Sequence, residues 1–328
     1  MRFVTPLRKR EFTTFVREFQ NQLPEGSESA ARSLVSDALV EWQRISFPAF
    51  AHRTRRRARA EQFAAWLAKQ DFLEGAYWLS SAYAHLAGDI QQQHQMFFTP
   101  PPLAERLITN LLSNGADITA HRFIDPACGG AAFLAPIAVR MRDALTARGL
   151  PPAKVVSHIR EHVTGIELDP FLAQLSNQFL RMALYSQLKH RDKLPTFAVT
   201  VGDARELCAE RSCEFDVAIC NPPYRKMKAS EVEAWRAGYG ELIEGQPNLY
   251  GLFFKVSLNL LGEGGLAGLL TPTSYLSGQY FSRTRTFVLG NADTVQLDIF
   301  SGLRETLFLK VEQEVAITVL RKHEARKA

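Results

Sequence analysis

Cysteine is scarce in this sequence: four in 328 residues, at Cys128, Cys208, Cys213 and Cys220. Their spacing has neither the paired form of a metal site nor the regularity of a disulfide framework, so the expected metal content is none and the thiols read as reduced. No apolar run approaches the roughly 20 residues a membrane span requires, which argues against a membrane protein. The opening MRFVTPLRKREF lacks the apolar core of a secretory signal, so a cytoplasmic location is expected. There is no internal repeat and no long low-complexity stretch. What remains is ordinary for a globular chain: 46% hydrophobic and 22% charged, enough to bury a sizeable core in one large or two modest domains.

The net charge is +5. The positive charge gathers in Arg53, Arg55, Arg56, Arg57 and Arg59, and again in Arg321, Lys322, Arg326 and Lys327. Two readings stand side by side, contact with a polyanion's phosphates or a solvated helix face and tail.

The chain divides near residue 95. Over 1–94, apolar residues recur at helical spacing through Phe12, Phe15, Val16 and Phe19, then Leu34, Val35, Leu39, Val40 and Trp42, then Phe63, Trp66, Leu67, Phe72, Leu73, Trp78 and Leu79. This predicts an N-terminal α-helical domain, for assembly or nucleic-acid contact, with a loop at 23–30 and Ser27 or Ser29 capping the next helix. Over 95–328, short apolar runs alternate with amphipathic ones. Strands are predicted at 121–127, 162–168, 197–202, 215–220, 265–271, 294–300 and 314–321, and helices at 102–114, 132–148, 170–188, 247–262 and 276–289. That alternation predicts an α/β, Rossmann-like, mostly parallel sheet covered on both faces. Ligands of such sheets bind beyond the carboxyl ends of the strands.

Three strand ends carry a carboxylate. The first runs into Asp125-Pro126-Ala127-Cys128-Gly129-Gly130-Ala131-Ala132, whose small residues let backbone pass close to a ligand. The second ends at Glu167, placed to accept both ribose hydroxyls of an adenosine. The third ends before Asp203, which can accept from an adenine amine. Each alone is equally a cap or a turn; three in succession are harder to dismiss. Upstream, Phe97-Phe98-Thr99-Pro100-Pro101-Pro102 opens a helix.

The fourth strand runs into Asn221-Pro222-Pro223-Tyr224, the most specific short motif of the chain. An adenine amine is a poor nucleophile because its lone pair is delocalised into the ring. An Asn side-chain oxygen and a backbone carbonyl can each accept one amine hydrogen and localise that pair by positioning and electrostatics. Proline holds the turn rigid and presents the Pro222 carbonyl. Tyr224 offers a face on which a flipped-out base can stack. Phe308 is the candidate opposing ring, with Phe300 second and more simply read as core. The stretch 225–246, with Arg225, Lys226, Lys228, Trp235, Arg236 and Tyr239, reads as a mobile loop closing over DNA or as a surface helix.

Together, FFTPPPLAERLI, DPACGGAAFL, GIELDP, VGDA, CNPPY and PNLYGLFFKVSLNLLGEGGLAGLLTP resemble the adenine-N6 DNA methyltransferases of restriction–modification systems, in the motif order of their gamma class, over roughly 95–322. The resemblance implies a seven-stranded sheet with an antiparallel last strand and S-adenosyl-L-methionine as cofactor. It implies that Phe98, Thr99, Asp125, Ala127, Gly129, Glu167, Asp203 and Asn221 bind the cofactor, Thr99 near its methionine end. It also implies that Asn221, Pro222, Pro223 and Tyr224 hold the target base in DNA, with Phe308 packing against it. Two departures stand out. The family pattern DPACGSG has Gly130 and Ala131 here in place of its Ser and last Gly; a methyl at 131 crowds the cofactor unless the local φ is negative. And only about seven residues follow the last predicted strand, where many relatives carry a target-recognition domain. Recognition then falls to the helical region, to a separate specificity subunit or homo-oligomer, or to a longer protein of which this is a piece. Rival readings are a methyltransferase of RNA adenine or of a protein glutamine, or an inactive assembly subunit of a modification complex.

Overall fold

A computed structural model describes residues 6–23, 27–51, 57–87, 98–245, 247–300 and 314–324. The predicted N-terminal helices form where the apolar spacing placed them. Helix α1 (Pro6–Gln22) buries Phe12, Val16 and Phe19 at i, i+4 and i+7. Helix α2 (Glu28–Ser46) starts at Ser27, whose hydroxyl accepts the Ala30 N–H at 3.2 Å. Helices α3 (Ala58–Leu67) and α4 (Phe72–Leu86) follow, the latter capped by Asp71. Phe12, Phe63, Trp66 and Trp78 form the aromatic centre of this helical layer. Helix α4 is buried continuously from Gly75 to Ala84, because it is sandwiched between the other helices and the α/β body.

The body contains α5 (Pro101–Ser113), β1 (Phe123–Asp125), α6 (Leu134–Ala147), α7 (Pro152–His162), β2 (Val163–Glu167) and α8 (Pro170–Ala183). Then come β3 (Ala198–Val201), α9 (Ala204–Glu210), β4 (Phe215–Cys220), α10 (Ala229–Tyr239), α11 (Leu249–Leu260), β5 (Leu261–Pro272), α12 (Ser282–Asn291), β6 (Ala292–Phe300) and β7 (Val315–Lys322). The sheet order is β3-β2-β1-β4-β5-β7-β6. Strands β3 to β5 run parallel, and β7 is antiparallel to both neighbours. This is the expected α/β, seven-stranded, mostly parallel sheet, with its last strand reversed.

Sequence and structure differ in places. Helices α7 and α9 fall in segments given no element, and α10 in the stretch read as a loop or a surface helix. Their cues are short: the proline start of α7, the Asp203 cap of α9, and the Lys228–Glu231 contact that opens α10. The helix expected over 276–289 is split, with a turn at Ser274–Ser277 before α12. The stretch 225–246 is neither a plain loop nor a wholly exposed helix, since α10 buries Trp235 and Tyr239.

Several of the clustered cations are engaged within the fold. Arg57 and Arg59 pair with the buried Asp37 of α2. Arg321 donates to the Asn114 carbonyl at 2.6 Å, and Lys322 to the Leu261 carbonyl at 2.6 Å. Arg53, Arg55, Arg56, Arg326 and Lys327 lie outside the described residues. No helix among the described residues is long and apolar enough to cross a membrane.

Candidate active site

Parallel strands put the carboxyl ends of β1 to β4 on one edge of the sheet, and there a cavity of about 550 Å³ opens. The residues expected at the cofactor, and the Asn221–Tyr224 turn, all line it: Phe98, Thr99, Asp125, Ala127, Gly129, Glu167, Asp203, Asn221, Pro222, Pro223 and Tyr224. Phe308 lies outside the described residues. Phe300 ends β6 half-buried against the core, away from the cavity.

The loop after β1 is pinned to the end of β2. The Cys128 N–H donates to the Ile166 carbonyl at 3.0 Å, and the Gly129 N–H to Glu167 Oε2 at 2.8 Å. Ser176 of α8 donates to the Gly129 carbonyl. Gly129 has φ +51°, and a Cβ there would stand 3.2 Å from the Phe98 ring, so a larger residue would be strained in its backbone and tight against that ring. The second Glu167 oxygen, Oε1, accepts the Asp169 N–H at 2.8 Å. Burial nevertheless pushes the Glu167 carboxyl up to about 7, against the lowering effect of those two N–H groups. Burial also raises Asp125 well above the usual carboxylate range; its Oδ1 accepts the Ala127 N–H at 3.0 Å. Burial raises Cys128 and Cys220 likewise, so both are inert thiols.

Asp203 caps α9 by accepting the Arg205 N–H at 2.8 Å while part of its carboxylate faces the cavity. Arg205 in turn donates to the Ala234 carbonyl and lies 6.0 Å from the Trp235 ring centre. Helix α10 thereby becomes a wall of the cavity, a role the sequence did not reveal. Leu168 was also missed: it lines the cavity yet is 57% exposed, an apolar plate between Glu167 and Asp169. Its available signal was its place directly after the strand-end carboxylate.

On the other side, the Asn221 amide Nδ2 donates to Thr99 Oγ1 at 3.0 Å. Tyr224 is 4% exposed; its hydroxyl donates to the Leu270 carbonyl at 2.9 Å, and its ring meets Tyr250 nearly edge-on. Only a small part of that ring faces the cavity. Ala131 has φ +57°, not the negative value that would make its methyl comfortable. It is absent from this cavity and borders a second one of about 280 Å³, between α4, α5 and α6. Its cost is therefore backbone strain and not crowding of the site. Among the described residues, no three His, Cys, Asp or Glu side chains gather as a metal site.

Known proteins resemble this chain in sequence and in fold. Type II methyltransferase M.BstVI of Geobacillus stearothermophilus is 24% identical over 215 residues, 61% of this chain. M.BsuBI of Bacillus subtilis is 28% identical over 161 residues, 47% of this chain. The chain spans about a third of the length of these curated relatives, 37% and 31% respectively. Among solved structures, a Listeria monocytogenes protein assigned to the class I S-adenosylmethionine-dependent methyltransferases superposes with a TM-score of 0.59 at 16% identity, covering 97% of this chain and 89% of that one. At that identity the likeness carries the fold: this is the class I methyltransferase fold. Over residues 161–305, from the end of α7 past the Asn221–Tyr224 turn to β6 and beyond, the chain matches the model of the Eco57I restriction-modification methylase family.

Proposed function

We propose that this chain transfers a methyl group from S-adenosyl-L-methionine to the exocyclic N6 amine of an adenine flipped out of DNA. The observation that carries the reading is the convergence of Asn221-Pro222-Pro223-Tyr224 and the strand-end carboxylates on one cavity. The restriction-modification likeness supports DNA as the acceptor.

The residues present fit the cofactor. Glu167 is an acceptor pair held by two backbone N–H groups at the ribose position, Leu168 offers an apolar plate for adenine, and Asp203 can accept its amine. The glycine at 129 leaves a cradle that a Cβ would fill. When bound, S-adenosylmethionine supplies a methyl group on a sulfonium, already activated for transfer.

The chain's own residues do the rest by positioning. Thr99 holds the Asn221 amide by its nitrogen, which directs the carbonyl oxygen away from Thr99 and toward the base. That oxygen and the Pro222 carbonyl accept the two amine hydrogens and turn the lone pair toward the methyl group. Tyr224 gives the base a ring to rest on once it is uncovered. Target recognition falls to the helical layer, to a specificity subunit or second copy, or to further segments of a longer protein of which this chain is a piece.

The test is transfer of labelled methyl groups to unmethylated genomic DNA, with RNA and protein acceptors in parallel and Asn221→Ala beside the wild type. The expected result is N6-methyladenine in DNA, reduced about 10²–10³-fold or more by the substitution, the usual effect of removing one electrostatic contact to a transition state. Label in RNA or protein alone would redirect the acceptor. Equal transfer by Asn221→Ala would remove that residue from the mechanism.

A further inference from the structure

The N-terminal helices reach the cofactor side through Asp169. This residue stands two positions beyond Glu167 and caps α8, its Oδ1 accepting the Phe171 N–H at 2.7 Å. Its Oδ2 accepts the hydroxyl of Tyr83, from α4, at 2.7 Å. Arg32, from α2, lies 3.5 Å from Oδ1 and 3.4 Å from the Tyr83 hydroxyl, and pairs with Glu28 one turn earlier. The Tyr83 ring packs against Phe171 at 4.7 Å, so its hydroxyl is held by packing as well. The Asp169 N–H is one of the two donors that hold the Glu167 carboxylate. Glu28 and Arg32 themselves line the cavity with Leu168.

We propose that the helical layer is part of the cofactor site. Tyr83 and Arg32 are positioning residues that hold Asp169 and, through its amide, the Glu167 carboxylate, while Glu28 and Arg32 form the outer wall. This rests on reading the cavity as the S-adenosylmethionine site. A ligand seated against both parts couples cofactor affinity to docking of the helices, and the coupling is reciprocal.

The test uses the full chain with Tyr83→Phe and Arg32→Ala. Gln43→Ala is the control, because Gln43 bonds Gln178 across the same interface and takes no part in the cavity. Two quantities are read: calorimetric affinity for S-adenosylmethionine across pH, and amide hydrogen exchange over 167–172 in the cofactor-free protein. The expected result is a 5- to 20-fold affinity loss in both variants, the size of a single hydrogen bond. Exchange over 167–172 should be faster, and the pH midpoint of binding displaced, with Gln43→Ala unchanged. A merely structural role would leave that midpoint in place. Wild-type affinity and exchange in both variants would overturn the proposal, as would affinity loss with exchange unchanged. A wild type that binds no cofactor would defeat the proposed function instead. Exchange then decides alone, faster exchange upholding the positioning of Asp169 and unchanged exchange overturning it.

Discussion

Adding a methyl group at Gly130 sets the glycine-rich loop against helix α4. A Cβ built there stands 2.1 Å from Ser80 Oγ, 2.9 Å from Ser80 Cβ and 3.6 Å from the Phe179 ring. The Ser80 hydroxyl can rotate and relieve the first contact, but its Cβ cannot, and α4 is buried over its whole middle. The loop is equally fixed, by Cys128 to Ile166 and by Gly129 to Glu167. Gly130 lacks a positive φ, so alanine also gains about 0.4–1 kcal/mol from a less free unfolded chain. Overpacking of a close-packed site costs about 1–3 kcal/mol, which leaves Gly130→Ala destabilised by about 1–2 kcal/mol. Ser80→Ala by itself should be neutral or slightly stabilising, because its buried Oγ finds no hydrogen-bond partner among the described residues. The double-mutant cycle, by urea unfolding, is then the decisive assay. In a Ser80→Gly background, which removes the Cβ as well as the hydroxyl, the cost of Gly130→Ala should fall by about 1 kcal/mol. An equal cost in both backgrounds would refute the close approach of α4 to the loop.

Further outcomes follow from the same loop and from Glu167. Ala131→Gly relieves a left-handed residue, about 1–2 kcal/mol. It also loses one buried methyl, about 0.8 kcal/mol, and frees the unfolded chain. Stability should therefore move by no more than about 1 kcal/mol, and cofactor affinity should hold within a factor of about 2–3 if the methyl faces away from the site; a tenfold gain in affinity would return it to the cofactor cavity. Glu167 titrates near 7 when the cofactor is absent, so affinity for S-adenosylmethionine should fall as pH drops below 7 and level off above it. Glu167→Gln should weaken binding and flatten that dependence; a flat wild-type profile by calorimetry would remove Glu167 as the ionised acceptor. The stability effect of Glu167 has the opposite sign. A carboxyl raised in the folded state keeps its proton where the unfolded chain has lost it, so its contribution declines as pH rises from about 4.5 to 7.

Much of this was legible because it depends on local pattern. The strands of a buried parallel sheet are short apolar runs, and the residues after them fall on one edge whatever the loops do, so Asp125, Glu167, Asp203 and Asn221 could be brought together from spacing alone. The helices of the N-terminal layer followed from 3.6-residue periodicity in the same way. What was not legible depends on contacts between distant segments. Leu168 reads as one more core residue until the fold leaves it exposed in the cavity. The arginines near residue 57 read as free cations until Asp37, twenty residues away, is seen to engage two of them.

The glycine at 130 makes the same point, because in the sequence it reads only as a departure from a pattern. Set against the DPACGSG pattern it is a missing side chain, while the inactive-subunit reading rests on Ala131 alone. In the fold, Ser80 of α4 occupies the space a side chain at 130 would take, so the glycine is what admits the helical layer. The same helix supplies Tyr83, three residues on, to Asp169, two positions beyond Glu167. Two contacts from one face of α4, one on each side of the β1–β2 edge, tie the loop and Glu167 to the helices. Loss of function should have loosened these positions together; instead Gly130 fits Ser80, and Glu167 keeps both of its N–H donors. Adaptation of the loop to its own N-terminal helices accounts for the departure at 130 better than decay does.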